Sequence, residues 1–140
     1  MKDALQVRVW TLLTRVRQLR VERARHLLRE AHLGVQRAEA DTVSRENAIA
    51  EHETRRRKIL AACFCGESAS LWRMALQRHD AGKFALESAL AVVCDAREKA
   101  QERVMSALYV LQKEMRGLDD ARKRVRRLVV AQQEDSDPDD

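Results

Sequence analysis

The stretch Cys65-Gly66-Glu67-Ser68-Ala69-Ser70 is the chain's only cluster of glycine and serine, and it lies near the midpoint of 140 residues. No proline occurs before Pro138, so no other strong helix breaker interrupts the sequence. This pattern predicts two long helices, residues 1–62 and 71–133, joined by a hairpin turn at 63–70. Each helix would be roughly 90 Å long at 1.5 Å per residue. Ser68 or Ser70 is expected to cap the second helix.

The composition favours an all-α fold. Ala, Glu, Lys, Leu and Arg supply 75 of the 140 residues, which is typical of coiled coils, and only five residues are aromatic. No apolar run approaches the length of a membrane span, and charges interrupt the amino terminus where a secretory signal would be apolar. We therefore expect a cytoplasmic, antiparallel two-helix coiled-coil hairpin.

The second half carries the clearer seven-residue repeat, which predicts a partner helix along its whole length. Its two seams are apolar at eleven of fourteen positions. One seam comprises Leu90, Arg97, Val104, Leu111, Leu118, Val125 and Gln132. The other comprises Leu86, Val93, Ala100, Ala107, Glu114, Ala121 and Leu128.

The first half is less regular. Strict spacing of four and three residues predicts that its seam begins with Leu5, Val9, Leu12, Val16 and Leu19. The apolar positions then shift to the set Ala24, Leu28, Ala31, Val35 and Ala38. Beyond Ala38 the seam is mostly polar, which predicts looser packing near the turn. The small residues Ala31, Gly34 and Ala38 would either allow close helix approach or simply lower stability.

A second apolar line on the first helix lies roughly opposite the first seam, so one partner helix cannot cover both. Its members are Val7, Trp10, Val21, Ala24 and Leu28. Either another protein, including a second copy of the chain, covers this line, or the line is exposed. Trp10 could instead fold over the end of the second helix near Val129 and Val130. Large aromatic residues are common interface anchors. Trp72, Leu76 and Phe84 raise the same question beside the turn.

The charge is basic, apart from the end of the chain. The net charge is +5, and five acids lie within residues 134–140, so residues 1–133 carry about +10. The tail 134–140 is expected to be disordered. Dense clusters at 55–58 and 122–127 leave nucleic acid as an alternative partner, although the arginines of residues 15–29 scatter around the helix instead of lining one face.

Catalytic chemistry is not indicated. A two-helix hairpin offers no dry concave site, and the sequence lacks phosphate-binding, zinc-protease and nucleophile motifs. Cys63, Cys65 and Cys94 are expected to be reduced thiols. A Cys-x-Cys pair could ligate zinc only if His52 and His79 converged on the turn. We expect no enzyme activity, cofactor or small-molecule substrate.

The length, helical breadth, turn position, arginine-rich ends and the opening Leu5-Gln-Val-Arg-Val-Trp-Thr-Leu-Leu together resemble the FliJ/YscO family over essentially the whole chain. These are central-stalk proteins of flagellar and type III secretion ATPases. The dense arginine and acidic tail favour an injectisome-type member, although the family pattern does not explain the tail.

The resemblance implies that the paired chain ends enter a hexameric secretion ATPase, promoting its assembly or activity, and that the turn points toward the export-gate membrane protein. Export chaperones are further implied partners. By position along the hairpin, the residues expected to face the ring are Val7, Trp10, Arg15, Arg17, Arg122, Arg124, Arg126 and Arg127. Those expected to face the gate are Trp72, Leu76 and Phe84.

Overall fold

The computed structural model describes residues 2–64 and 68–135, all of them in helices or short connections between helices. Helix α1 spans Lys2–Cys63, α2 spans Ala69–Ala81 and α3 spans Lys83–Asp135. Helices α1 and α3 pack against each other, which confirms the expected helical hairpin. No helix in the described ranges combines the length and apolar character needed to cross a membrane.

The second half contains two helices where the sequence predicted one. Gly82 separates α2 from α3, and its N–H donates to the carbonyl of His79 at 3.1 Å, a spacing of three residues that is tighter than the α-helical spacing of four. Ser68 is the N-cap of α2, but its side chain makes no capping hydrogen bond. Glu134 and Asp135 belong to α3, whereas the sequence predicts a disordered tail from residue 134 onward. Cys65, Gly66, Glu67 and residues 136–140 lie outside the described ranges.

The predicted seams of α3 are confirmed, because all fourteen positions are buried or half-buried. Even Arg97, Glu114 and Gln132 are only partly exposed. The heptad count from Leu90 therefore identifies the side of α3 that is shielded from solvent, including the positions where polar residues interrupt it.

The predicted start of the α1 seam is wrong. Leu5, Leu12 and Leu19 are 63%, 55% and 64% exposed. The opposite apolar line turns inward instead: Val21 and Ala24 are buried, and Val7, Trp10 and Leu28 are half-buried. This line belongs to a heptad that runs on through Ala31, Val35, Ala38, Thr42, Ile49, His52 and Ile59, all buried or half-buried, and is interrupted by the exposed Arg45 and Arg56.

The helices form two compact units. One contains the residues up to His32 with those from Arg103, and its core consists of Val21, Ala24, Leu111 and Leu118, with Leu28 packed against it. The other unit, residues 33–102, buries the small side chains Ala38, Thr42 and Ala100. The Thr42 hydroxyl donates to the carbonyl of Ala38 at 2.9 Å, so its burial leaves no unsatisfied polar atom.

Candidate functional site

The indole of Trp10 lies beside the last third of α3. The guanidinium carbon of Arg124 is 5.0 Å from the centroid of the Trp10 ring, a distance that permits a cation–π interaction. A surface groove begins here, which we call the Trp10 groove. It is lined by Trp10, Arg17, Gly117, Asp120, Ala121, Lys123, Arg124 and Arg127.

Arg17 reaches this groove from a seam position of α1. It is half-buried, and its guanidinium lies directly over Gly117 of α3, in the space that a side chain at position 117 would occupy. The absence of a Cβ at Gly117 therefore allows a charged side chain to lie in a seam between two helices. Val7, one turn before Trp10, is also half-buried.

The charge of the Trp10 groove is strongly positive. Four cationic side chains, Arg17, Lys123, Arg124 and Arg127, face it with one acid, Asp120. Lys123 makes an ion pair with Asp119 at 3.2 Å, which neutralises part of this charge. An aromatic ring held among arginines is suited to a partner surface that presents carboxylates around an apolar contact.

The remaining arginines of the 122–127 run point elsewhere, because consecutive residues of a helix are separated by about 100°. Arg122 and Arg126 line a second groove with Thr11, Thr14 and Val125. Both threonine hydroxyls donate to α1 carbonyls four residues earlier, at 2.7 and 2.8 Å. Of the eight residues expected to face an ATPase ring, the structure thus gathers four in the Trp10 groove: Trp10, Arg17, Arg124 and Arg127. Arg15 is exposed and lines neither groove.

Trp10 lies against α3 of its own chain. The ring is half-buried in contact with Arg124 of its own chain, while Val130 remains 51% exposed. Val21 and Leu28 pack into the chain's own core, so the part of this line that another protein or a second copy could cover is limited to the half-buried Val7 and Trp10.

The three residues considered for a gate contact lie on two helices. Trp72 and Leu76 are one turn apart on α2, where Trp72 is 39% exposed and Leu76 is half-buried. Phe84 lies beyond Gly82 on α3 and is 78% exposed. With Phe64, which is 87% exposed, three aromatic side chains in the unit of residues 33–102 are therefore accessible to a partner.

The same unit contains a polar cluster that the sequence pattern did not reveal. The rings of His52 and His79 stack, and Arg56 Nε donates to Asp80 Oδ1 at 2.8 Å. One sequence feature could have indicated this cluster: His52 and Arg56 lie one turn apart on the first helix, and the adjacent residues His79 and Asp80 lie on the returning half of the chain. Both histidine Nε2 atoms bond to backbone carbonyls, so they are not directed at a common metal ion. Within residues 2–64 and 68–135, Cys63 and Cys94 are free thiols, and no three metal-binding side chains converge.

The hydrogen bond from Arg56 lowers the pKa of the Asp80 carboxyl below its ordinary value of 3.8, and this effect outweighs the opposite effect of burial. The reciprocal interaction raises the pKa of Arg56. Both side chains are well exposed, at 44% and 40%, so solvent screens the pair.

Comparison with known proteins gives no relative. No protein-family model, no curated protein and no solved structure matches this chain. The fold defines the class of the protein as a coiled-coil-like helical hairpin. Its basic groove, which contains one aromatic ring, is formed by the first turns of α1 and the last third of α3.

Proposed function

We propose that this chain is a non-enzymatic coiled-coil stalk of a type III secretion or flagellar export apparatus, of the FliJ/YscO kind and of the injectisome type. In this role it inserts its paired chain ends into a hexameric ATPase ring, promotes assembly or turnover of the ring, and links the ring to the cytoplasmic part of the export gate. The chain then acts at the cytoplasmic face of the secretion apparatus.

The Trp10 groove is the observation that carries this proposal. It joins residues near the beginning of α1 to residues near the end of α3, and it combines one aromatic ring with an excess of positive charge. Carboxylates on the inner wall of a ring would complement it. Trp72 and Phe84 are exposed aromatic candidates for the gate contact.

An asymmetric hairpin can influence a sixfold ring because it contacts the subunits unequally. Coupling requires that the contacts differ between nucleotide states of the ring, since equal binding to every state shifts no equilibrium. The groove with Trp10 and the groove with Thr11 and Val125 differ in composition. They would therefore contact different subunits of the ring unequally.

The test measures assembly and ATP turnover of the cognate secretion ATPase with and without the full chain. We expect the chain to raise both, and Arg124→Glu with Arg127→Glu to abolish the increase. The matched control, Arg55→Glu with Arg57→Glu, makes the same change in net charge at exposed positions of the other unit. Unchanged assembly and turnover on addition of the chain, or equal losses for the two double variants, would refute the proposal.

A further inference from the structure

The first five turns of α1 carry an apolar face that no described residue of this chain covers. Val9 and Val16 are 46% and 45% exposed, and the three leucines between and beside them are more than half exposed. We call this face the N-terminal stripe. It consists of Leu5, Val9, Leu12, Val16 and Leu19.

The spacing of the N-terminal stripe is that of a coiled-coil seam. With Val9 at heptad position a, valine occupies both a positions and leucine all three d positions. β-Branched residues at a with leucine at d favour two-stranded helix pairs. The opposite face of α1 already packs on α3, so a partner on the stripe would be an additional helix.

Three of the four charged residues at the e and g positions beside the stripe are positive, and the exception, Glu22, lies beyond Leu19. Arg8 and Arg15 occupy g positions and Arg20 an e position, and all three side chains are exposed. Asp3 and Glu22 are the nearest acids in sequence, so none lies from Ala4 to Val21. Among the described residues, none of these three guanidinium groups takes part in an ion pair.

From this juxtaposition we propose that the N-terminal stripe binds an acidic amphipathic helix of another protein, with apolar residues at its a and d positions and carboxylates at its e and g positions. The leucines and valines supply the seam, and Arg8, Arg15 and Arg20 select the partner by charge.

A second copy of the chain fits the stripe poorly. In a parallel pair Arg15 would face Arg20 of the other copy, and in an antiparallel pair the g-position arginines would face each other. Like charges at these positions oppose association. A membrane surface also fits poorly, because the stripe is a narrow a/d seam without aromatic residues, whereas helices that lie in a lipid interface present a broad apolar face.

This proposal is independent of the ATPase role, because it concerns a different face of α1 from the Trp10 groove. The experiment therefore needs no secretion component. The probe is a fluorescent three-heptad peptide with Ile at a, Leu at d and Glu at e and g, whose own glutamates disfavour self-pairing at neutral pH. The control peptide has Lys in place of every Glu. Binding to the full chain is measured by fluorescence anisotropy.

We expect the glutamate peptide to bind and the lysine peptide to bind at least about tenfold more weakly. Arg15→Glu with Arg20→Glu should reverse that order. Leu12→Gln with Val16→Gln should weaken binding of the glutamate peptide by at least about tenfold. The control Leu33→Gln, an equally exposed leucine of α1 outside the stripe, should leave binding unchanged. All of these positions are exposed, and circular dichroism checks that each variant retains its helices.

Three results would overturn the proposal. The first is equal or absent binding of the two peptides. The second is a concentration-dependent dimer in sedimentation that Leu12→Gln with Val16→Gln dissolves, since it would make a second copy the occupant. The third is binding to anionic phosphatidylserine vesicles that the same double variant abolishes, in which case lipid is the ligand.

Discussion

The imidazole rings of His52 and His79 stack with their centroids 3.6 Å apart and their planes 14° from parallel. Each ring bonds to the backbone of the other residue: His52 Nε2 is 2.8 Å from the carbonyl of His79, and His79 Nε2 is 2.7 Å from the carbonyl of His52. A carbonyl only accepts hydrogen bonds, so both Nε2 atoms must carry a proton. The pair therefore joins α1 to the last turn of α2 through two reciprocal hydrogen bonds.

Replacing His52 by alanine should lower the free energy of unfolding by about 1 to 2 kcal/mol, because it removes one hydrogen bond and the ring contact. His52→Gln, whose amide nitrogen can donate in place of Nε2, should recover part of this loss. The measurement is urea unfolding followed by circular dichroism. His32→Ala, at an exposed position of α1, is the control. Equal urea midpoints for His52→Ala and His32→Ala would show that the pair contributes nothing.

The ion pair of Arg56 and Asp80 predicts a dependence on acid. Because Arg56 lowers the pKa of Asp80 below 3.8, the pair stabilises the fold above that pH, and its contribution is lost as the pH falls through the lowered value. Asp80→Asn should therefore be less stable than the wild type at neutral pH. The difference should vanish at a pH well below 3.8. Thermal unfolding at both pH values measures it, and a difference that persists in acid would exclude this explanation.

A buried leucine of α3 and an exposed leucine of α1 predict very different costs for the same substitution. Leu118→Ala removes a side chain that is only 7% exposed and should cost about 2 to 4 kcal/mol, whereas Leu12→Ala, at 55% exposed, should change stability by less than about 0.5 kcal/mol. Chemical denaturation of both variants compares them directly. A cost for Leu12→Ala close to that for Leu118→Ala would mean that the N-terminal stripe is covered in the folded chain.

The glycines in the long helices should respond differently to alanine. A Cβ at Gly34 would meet nothing within 4 Å, so Gly34→Ala should stabilise the protein by roughly 0.4 to 1 kcal/mol through helix propensity. A Cβ at Gly117 would collide with the Arg17 guanidinium, so the gain there should be smaller or absent. Thermal melts of the two variants test this, and a lower midpoint for Gly34→Ala would show that close helix approach requires the glycine.

The fold was predictable from the sequence to a large extent. The end of α1 at Cys63 and the beginning of α2 at Ala69 lie on either side of the glycine-containing stretch. The heptad of α3 follows from the repeat from Leu86 to Gln132, and its seams are shielded as predicted. The break at Gly82 was not predicted, because a single glycine is compatible with a helix. There, a hydrogen bond from His52, distant in sequence, also reaches the carbonyl of His79 that the Gly82 N–H uses.

The candidate site was predictable only in part. Location near the chain ends is enough to suggest ring contacts, and the structure places four of the suggested residues in one groove: Trp10, Arg17, Arg124 and Arg127. Arg15 lies outside this groove, because the side of α1 that carries it does not face α3. The pairing of Arg56 with Asp80 required the alignment of two helices, which the spacing within each helix does not fix.

By itself, the sequence determined that this chain is helical, that its first long helix ends near Cys63 and which side of α3 is apolar, because these properties depend on residues close together along the chain. Only the tertiary structure decided which of two apolar heptads in α1 faces inward. The heptad of Leu5, Val9 and Leu12 is the stronger one locally, but it ends after Leu19. The heptad that begins at Val7 continues to Ile59, and a helix that packs along α3 buries the face that remains in phase over the longer length.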